Sequence, residues 1–162
     1  MVNQSIEEVE KNRSHLVEKA IQIATRAHAG QVDKAGHPYI FHPLRLMATM
    51  DDEHEKMAAI LHDVIEDTTV SLEDLNREGF PPAVVAAVDA LTKRNGESRL
   101  EAAARALKNP IARLVKLADV KDNMNLSRIN APSEKDYARL QEYEQVRTYL
   151  EDGIKRRLSW HT

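Results

Sequence analysis

Apolar residues recur at helical spacing along most of this chain, and that periodicity constrains the fold more than any other feature. The first such stripe consists of Leu16, Ala20, Ile23, Ala24 and Ala27. Aromatic residues make up only 4% of the 162 residues, and Gly and Pro number 5 and 6, which is unlike an all-β or a disordered chain. The sequence therefore predicts an all-α fold: a compact single-domain helical bundle covering residues 1–162, with its core at about 14–158.

Capping residues and glycines divide the periodic stretches into separate helices. Ser71 and Ser98 each open a capping-box pattern, Gly30 suits a helix C-terminus, and Ser133 opens a long last helix. The predicted helices span about 14–29, 43–50, 51–65, 72–78, 82–93, 99–108, 111–125 and 134–158. Residues 31–41 are predicted to form a loop because they contain few periodic apolar positions.

The charge balance and the residue types exclude several classes of partner. With 23 basic and 26 acidic residues the net charge is −3, so no broad cationic field would attract nucleic acid. The absence of cysteine suits a reducing compartment. No apolar run is long enough to span a membrane, and the polar N-terminus is unlike a signal peptide. We therefore expect a cytoplasmic protein that binds neither nucleic acid nor membrane, and the sequence leaves homo-oligomer formation open.

The segment from Lys56 to Asp67 combines a core face with a cluster of ionisable residues. Its apolar positions follow the i, i+3, i+4, i+7 pattern and predict a buried arc of Met57, Ile60, Leu61 and Val64. On the opposite side of the same predicted helix lie His62, Asp63, Glu66 and Asp67. A solvated acidic face is an equally good interpretation of this cluster by itself. The cluster gains specificity from two residues elsewhere in the chain, His42 and Asp119.

Several short motifs together resemble the HD metal-dependent phosphohydrolases. Their H…HD…D signature is matched by His42, by the His62-Asp63 pair and by Asp119. The longer motifs resemble the hydrolase domain of the RelA/SpoT group and the small alarmone hydrolases: Ala27-His-Ala-Gly-Gln31, Gly36-His-Pro-Tyr-Ile40, Leu61-His-Asp-Val-Ile-Glu-Asp-Thr68 and Lys116-Leu-Ala-Asp-Val-Lys-Asp-Asn123. The matched segments run from about residue 20 to about 150. The resemblance implies a bundle of the HD-domain type that hydrolyses (p)ppGpp and has no alarmone synthetase domain.

The resemblance also implies a metal site and a catalytic pair. The implied metal ligands are His42, His62, Asp63 and Asp119. This set of two imidazoles and two carboxylates suits Mn²⁺, or alternatively Fe²⁺, Co²⁺ or Zn²⁺, better than Mg²⁺. Such an ion lowers the pKa of bound water and polarises a phosphoryl oxygen. Glu66 would accept a proton from the water or hold it in line, and Asp67 would orient the water or protonate the leaving group. The competing interpretation is that Glu66 and Asp67 only cap the following turn.

Residues for binding the substrate are implied in three further segments. The implied set is Lys34, Asn123, Arg139 and Tyr143, and either Lys93 or Arg94 is a further candidate for a phosphate contact. The chain departs from the resembled pattern at two places. Asp33 stands where an arginine is usual, which removes a planar cation that could stack on a base. Val120-Lys121-Asp122 replaces the usual Arg-Leu-His.

The first functional hypothesis is Mn²⁺-dependent hydrolysis of the 3′-pyrophosphate of (p)ppGpp, giving GTP or GDP and pyrophosphate. The two departures leave open a second hypothesis, in which the same chemistry acts on another nucleotide such as NADPH or a nucleoside monophosphate. A third hypothesis is a regulatory module that senses a nucleotide without hydrolysing it. The presence of Glu66 and Asp67 argues against the third, because a sensor needs no general base.

Overall fold

Nine α-helices and one 3-10 helix form the regular structure of residues 2–159, the range whose backbone the computed structural model describes; side chains are described from Asn12 to Ser159. The α-helices are α1 (Val2–Ala27), α2 (Phe41–Ala48), α3 (Glu53–Leu61), α4 (Val64–Asp67), α5 (Leu72–Arg77), α6 (Pro82–Leu91), α7 (Arg99–Leu107), α8 (Ala112–Asn123) and α9 (Glu134–Ser159). The 3-10 helix, Leu126–Arg128, lies between α8 and α9. The prediction of an all-α fold is confirmed. Every helix in this range is too short or too polar to cross a lipid bilayer.

Helix α3 lies at the centre of the bundle, packed against α1, α2, α6 and α8. The predicted core arc is confirmed, because Met57, Ile60, Leu61 and Val64 are all fully buried. Burial of each such side chain contributes about 1.5–3 kcal/mol to folding. Ala58 and Ala59 are also fully buried, since the neighbouring helices cover α3 on several sides. This packing brings α2 and α8 together at the C-terminal end of α3.

The predicted capping boxes are confirmed at two helix starts. Ser71 Oγ accepts the backbone N–H of Asp74, whose carboxylate in turn accepts the backbone N–H of Ser71. Ser98 and Glu101 exchange the same pair of hydrogen bonds at the start of α7. Each box satisfies two N–H groups that have no partner within the helix. The first helix is longer than predicted, because α1 begins at Val2 rather than near residue 14.

The prediction of a single helix continuing to Ile65 is wrong. Helix α3 ends at Leu61, and Asp63 has φ −106° and ψ −2°, which interrupts the helix before α4 begins. The predicted polar face shared by four ionisable residues is therefore also wrong. His62 is only 3% exposed, because it lies in the centre of the bundle, whereas Glu66 and Asp67 are exposed on α4.

Gly153 permits close packing between α9 and α7. A Cβ atom at this position would lie 2.9 Å from Leu107 Cδ1 and closer still to Cδ2. We expect Gly153→Ala to destabilise the protein by about 1 kcal/mol, because overpacking costs about 1–3 kcal/mol and the gain in helix propensity returns about 1 kcal/mol. Urea denaturation would measure the change. In a Leu107→Ala background the same substitution should be stabilising, and destabilisation there would contradict the role assigned to Leu107.

Candidate metal centre

Three of the four predicted metal ligands converge where α2, α8 and the end of α3 meet. The side chains of His42, His62 and Asp119 each offer one ligand atom, and these atoms all lie within 4.8 Å of one another. Asp119 Oδ1 is 3.2 Å from His42 Nε2 and 3.9 Å from His62 Nε2. All three residues are buried. Two imidazoles and one carboxylate therefore face a common point inside the protein.

The second ring nitrogen of each histidine is already occupied. His62 Nδ1 lies 2.8 Å from the carbonyl oxygen of Ala59, and His42 Nδ1 lies 2.7 Å from Asp122 Oδ2. Because both partners accept hydrogen bonds, Nδ1 is protonated in each histidine, and Nε2 is the ring nitrogen that faces the centre. His62 Nε2 is buried without a hydrogen bond of acceptable geometry. A buried ring nitrogen that lacks a hydrogen bond but lies within 4 Å of two carboxylates fits a divalent cation.

The fourth predicted ligand, Asp63, lies next to this cluster but outside it. Its Oδ2 is 2.8 Å from His62 Nε2 and also accepts a hydrogen bond from the hydroxyl of Tyr39. Its carboxylate is not part of the set of three ligand atoms that all lie within 4.8 Å of one another. Burial alone would raise the pKa of Asp63, but the charge of His62 outweighs it and lowers the pKa to about 2. Asp63 is therefore an ionised carboxylate at the edge of the cluster.

The cluster holds strongly shifted ionisable groups. Burial acts to lower the pKa of His42, but its hydrogen bonds to Asp119 and Asp122 outweigh burial and raise the pKa to about 9. Burial acts to raise the pKa of Asp119, but the charge of Lys116, 2.8 Å away, and the histidines hold it well below its usual range. In the metal-free protein His42 is thus a cation that binds two carboxylates.

Metal binding should depend on pH because of the His42 proton. A histidine must be neutral to bind a metal, so an ion must displace this proton at any pH below about 9. We expect the affinity for Mn²⁺ to rise by up to about tenfold per pH unit as the pH increases toward 9, and to level off above it. Titration calorimetry on metal-stripped protein at several pH values would measure it.

A matched control for the pH experiment is His15→Ala, which removes an exposed histidine of α1 and should leave the pH dependence unchanged. An affinity independent of pH across this range would contradict the raised pKa of His42. The same proton stabilises the metal-free fold. Its contribution is complete below pH 6.5 and is lost as the pH rises through 9.

A cavity of about 380 Å³ opens beside the cluster, and His42, Asp63, Asp119 and Glu66 line it. Glu66 Oε2 accepts the backbone N–H of Lys93, which holds the exposed carboxylate in place. Asp67 does not line this cavity. Burial, followed by the charges of Asp63 and Glu66, raises the pKa of Asp67. The two predicted catalytic carboxylates are thus adjacent in sequence, but only that of Glu66 lines the cavity.

All four predicted substrate-binding residues line the cavity: Lys34, Asn123, Arg139 and Tyr143. Lys34 lies 3.7 Å from Asp136 and Arg139 lies 3.9 Å from the same carboxylate, so both are loosely paired. Asn123 Nδ2 donates to Asp119 Oδ1 at 2.6 Å. Asn123 therefore supports the metal cluster in this structure, in addition to lining the cavity.

The structure distinguishes the two candidate phosphate cations. Lys93 lines the cavity and forms no ion pair with any described residue, whereas Arg94 is bound to Asp89 at 2.8 Å. Sequence analysis did not identify Arg99, which also lines the cavity and stacks over Tyr143 with its guanidinium carbon 4.9 Å from the ring centroid. Arg99 lies at the exposed N-terminus of α7, and no motif or spacing in the sequence indicates that a cation there lines a cavity.

Asp33, the residue that replaces an arginine in the resembled pattern, lines the cavity. Its Oδ1 accepts the backbone N–H groups of Ala35 and His37, both at 2.9 Å. The carboxylate therefore stabilises the turn in the loop after α1.

Comparison with known proteins places these residues in a family context. A family model described as HD domain matches residues 20–150. A GTP pyrophosphokinase of Streptomyces coelicolor is 37% identical over 133 residues, which are 74% of this chain and 16% of the relative. A guanosine-3′,5′-bis(diphosphate) 3′-pyrophosphohydrolase of Aquifex aeolicus is 32% identical over 136 residues, 73% of this chain and 19% of the relative. The chain thus spans less than a fifth of the length of these relatives.

One solved structure covers nearly the same range as this chain. It is reported as a metazoan ortholog of SpoT that hydrolyses ppGpp, and it matches with a TM-score of 0.65 and 25% sequence identity. The match covers 87% of this chain and 94% of that chain. The predicted helical bundle of the HD-domain type is therefore confirmed.

Proposed function

This chain belongs to the HD domain family, and we propose that it is a divalent-metal-dependent hydrolase that removes the 3′-pyrophosphate of (p)ppGpp to leave GTP or GDP. The observation that supports this most directly is one cavity of about 380 Å³ lined by two residues of the metal cluster, by Glu66 and by several cationic side chains. The Aquifex aeolicus relative named as a 3′-pyrophosphohydrolase supports the choice of substrate.

We propose that His42, His62, Asp63 and Asp119 hold the metal ion and that the ion is Mn²⁺. Nitrogen and oxygen donors in this ratio suit Mn²⁺ and other transition metals better than Mg²⁺, which prefers oxygen. Asp63 would join the other three by releasing its contact with Tyr39. When bound, the cation supplies charge stabilisation to the phosphoryl group and acidifies water.

The bond to be broken joins the ribose 3′ oxygen to the adjacent phosphorus. The oxygen of a water molecule attacks that phosphorus, pyrophosphate leaves the sugar, and the 3′ oxygen takes up a proton. Glu66 is the proposed acceptor of the water proton, because it lies in the cavity and its backbone contact with Lys93 fixes it. Asp67 is the proposed donor to the 3′ oxygen, because its raised pKa suits a proton donor; in this role its side chain would turn toward the cavity that Glu66 lines.

The proposed phosphate contacts come from cations that are unpaired or loosely paired. Lys93 has its ammonium group free of ion pairs among the described residues, and Lys34 and Arg139 are each more than 3.5 Å from Asp136. A polyphosphate would bind these three cations, and binding would replace only the weak contacts of Lys34 and Arg139 with the Asp136 carboxylate. Tyr143, held beneath Arg99, offers a flat surface for the ribose or the base.

Asp33 favours a second candidate substrate, another phosphorylated nucleotide such as NADPH or a nucleoside monophosphate. Asp33 lines the cavity and its carboxylate is bound within its own turn, so this position offers no guanidinium group to stack on guanine. The metal cluster and Glu66 would have the same roles in hydrolysing either substrate.

The two candidates are separated by comparing turnover of ppGpp, NADPH and nucleoside monophosphates by metal-stripped protein with Mn²⁺ restored. Pyrophosphate and orthophosphate are measured separately, and Glu66→Gln protein provides the background rate. Release of pyrophosphate from ppGpp at a rate well above the other substrates is expected. Release of orthophosphate from another nucleotide, with ppGpp unchanged, would transfer the proposal to the second candidate.

A further inference from the structure

We propose that Asp122 is a positioning residue for the metal centre, which holds the ring of His42 so that its Nε2 atom faces the metal. The proposal rests on the proposed metal site. Asp122 occupies the place of the histidine in the resembled Asp-Arg-Leu-His-Asn pattern, so the motif did not predict this role. Asp122 lies three residues after Asp119 on α8, and both carboxylates therefore project toward α2.

The contact between Asp122 and His42 determines which ring nitrogen is available. Asp122 Oδ2 lies 2.7 Å from His42 Nδ1, while His42 Nε2 lies 3.2 Å from Asp119 Oδ1. An ionised carboxylate only accepts hydrogen bonds, so Nδ1 keeps its proton and Nε2 becomes the metal ligand. A carboxylate at this distance also increases the basicity of the ring and restricts its rotation.

Asp122 is itself held rigidly by two arginines. Arg45 donates from Nε to Oδ1 at 2.8 Å and from Nη2 to Oδ2 at 2.9 Å, the bidentate arrangement in which a carboxylate is bound most firmly. Arg128 adds contacts to both carboxylate oxygens at 3.3 and 3.2 Å and to the backbone carbonyl at 2.6 Å. Arg45 lies one turn after His42 on α2, so the same helix supplies the ligand and the clamp.

Comparison with His62 shows what Asp122 contributes. The ring of His62 also presents Nε2 to the metal site, but a backbone carbonyl rather than a carboxylate holds it there. Its Nδ1 lies 2.8 Å from the backbone carbonyl of Ala59, three residues earlier in the chain. The orientation of His62 is thus a property of its own helix. The orientation of His42 depends instead on a side chain 80 residues away, which a substitution can remove.

The test measures Mn²⁺ affinity of metal-stripped protein by titration calorimetry for wild type, Asp122→Ala and Asp122→Asn. We expect Asp122→Ala to weaken binding by about 10–100-fold. Asp122→Asn should lose less, because its amide oxygen still accepts from His42 Nδ1. The matched control is Glu97→Gln. Glu97 is 13% exposed, as is Asp122, and accepts two hydrogen bonds from Arg105, but it does not line the cavity.

A second readout reports the ring directly. In the Zn²⁺-loaded protein, long-range ¹H–¹⁵N spectra should show His42 protonated at Nδ1 in wild type and a mixture of ring states in Asp122→Ala. Unchanged Mn²⁺ affinity in Asp122→Ala, or an equal loss in Glu97→Gln, would overturn the proposal. Binding is measured without substrate, so a wild-type protein that binds Mn²⁺ but leaves ppGpp intact would refute only the proposed substrate. A wild type that binds no Mn²⁺ would refute the metal site and the role of Asp122 together.

Discussion

Replacing Asp119 by asparagine is expected to lower Mn²⁺ affinity by more than about 100-fold and ppGpp turnover by at least about 1000-fold. Asp119 is the residue whose carboxylate lies within 4 Å of both histidine ligands. An amide offers one neutral oxygen in place of a charged carboxylate, so it neither neutralises the cation nor binds it tightly. Titration calorimetry and a pyrophosphate-release assay would measure the two effects.

Loss of folding must be separated from loss of metal in this variant, because Asp119 also pairs with the largely buried Lys116. The double variant Asp119→Asn/Lys116→Met removes the unpaired cation and should regain stability without regaining Mn²⁺ binding. Circular dichroism during thermal unfolding would follow stability. Tight Mn²⁺ binding by a folded Asp119→Asn protein would refute the proposed ligand set.

Replacing Glu66 by glutamine is expected to lower kcat by about 100- to 10,000-fold, the range typical for loss of a general base. Glutamine keeps the side-chain oxygen that accepts the Lys93 N–H, so the local backbone should remain in place. Glu66 is not part of the three-residue metal cluster, and we therefore expect the Mn²⁺ dissociation constant to change by less than about twofold. Steady-state kinetics at saturating Mn²⁺ would measure kcat.

The control for this substitution is Glu73→Gln, which removes an exposed carboxylate from α5 and should leave both quantities unchanged. A kcat within about fivefold of wild type would show that Glu66 is not the base. A parallel fall in Mn²⁺ affinity would instead place Glu66 among the metal ligands. The two results together decide between a role in proton transfer and a role in metal binding.

The local features of the fold were predictable because they are encoded over a few residues. The buried arc of α3 follows from apolar spacing, and the capping boxes at Ser71 and Ser98 follow from side chains that reach only to the third residue of their own helix. The break at His62-Asp63 was missed for the same reason. The apolar pattern continues through the turn at His62-Asp63, so it does not show that the helix is interrupted there.

The residue types of the candidate site were also available from the sequence, through the spacing of the HD motifs and the resemblance they support. His42, His62 and Asp119 are brought together as predicted, while Asp63 lies to one side, held by Tyr39. Lys93 and Arg94 were equivalent in sequence, and only their neighbours in space distinguish them.

The sequence by itself determined the all-helical class, the helix starts marked by capping boxes and the residue types at the candidate metal centre. Each of these depends on short-range patterns of hydrophobicity, capping or motif spacing. Only the tertiary structure decided that Asp122 binds His42, that Asn123 supports Asp119 and that Asp33 turns into its own loop. Asp122 and His42 are 80 residues apart. Contacts over such a separation depend on how α2, α3 and α8 pack, which no local pattern specifies.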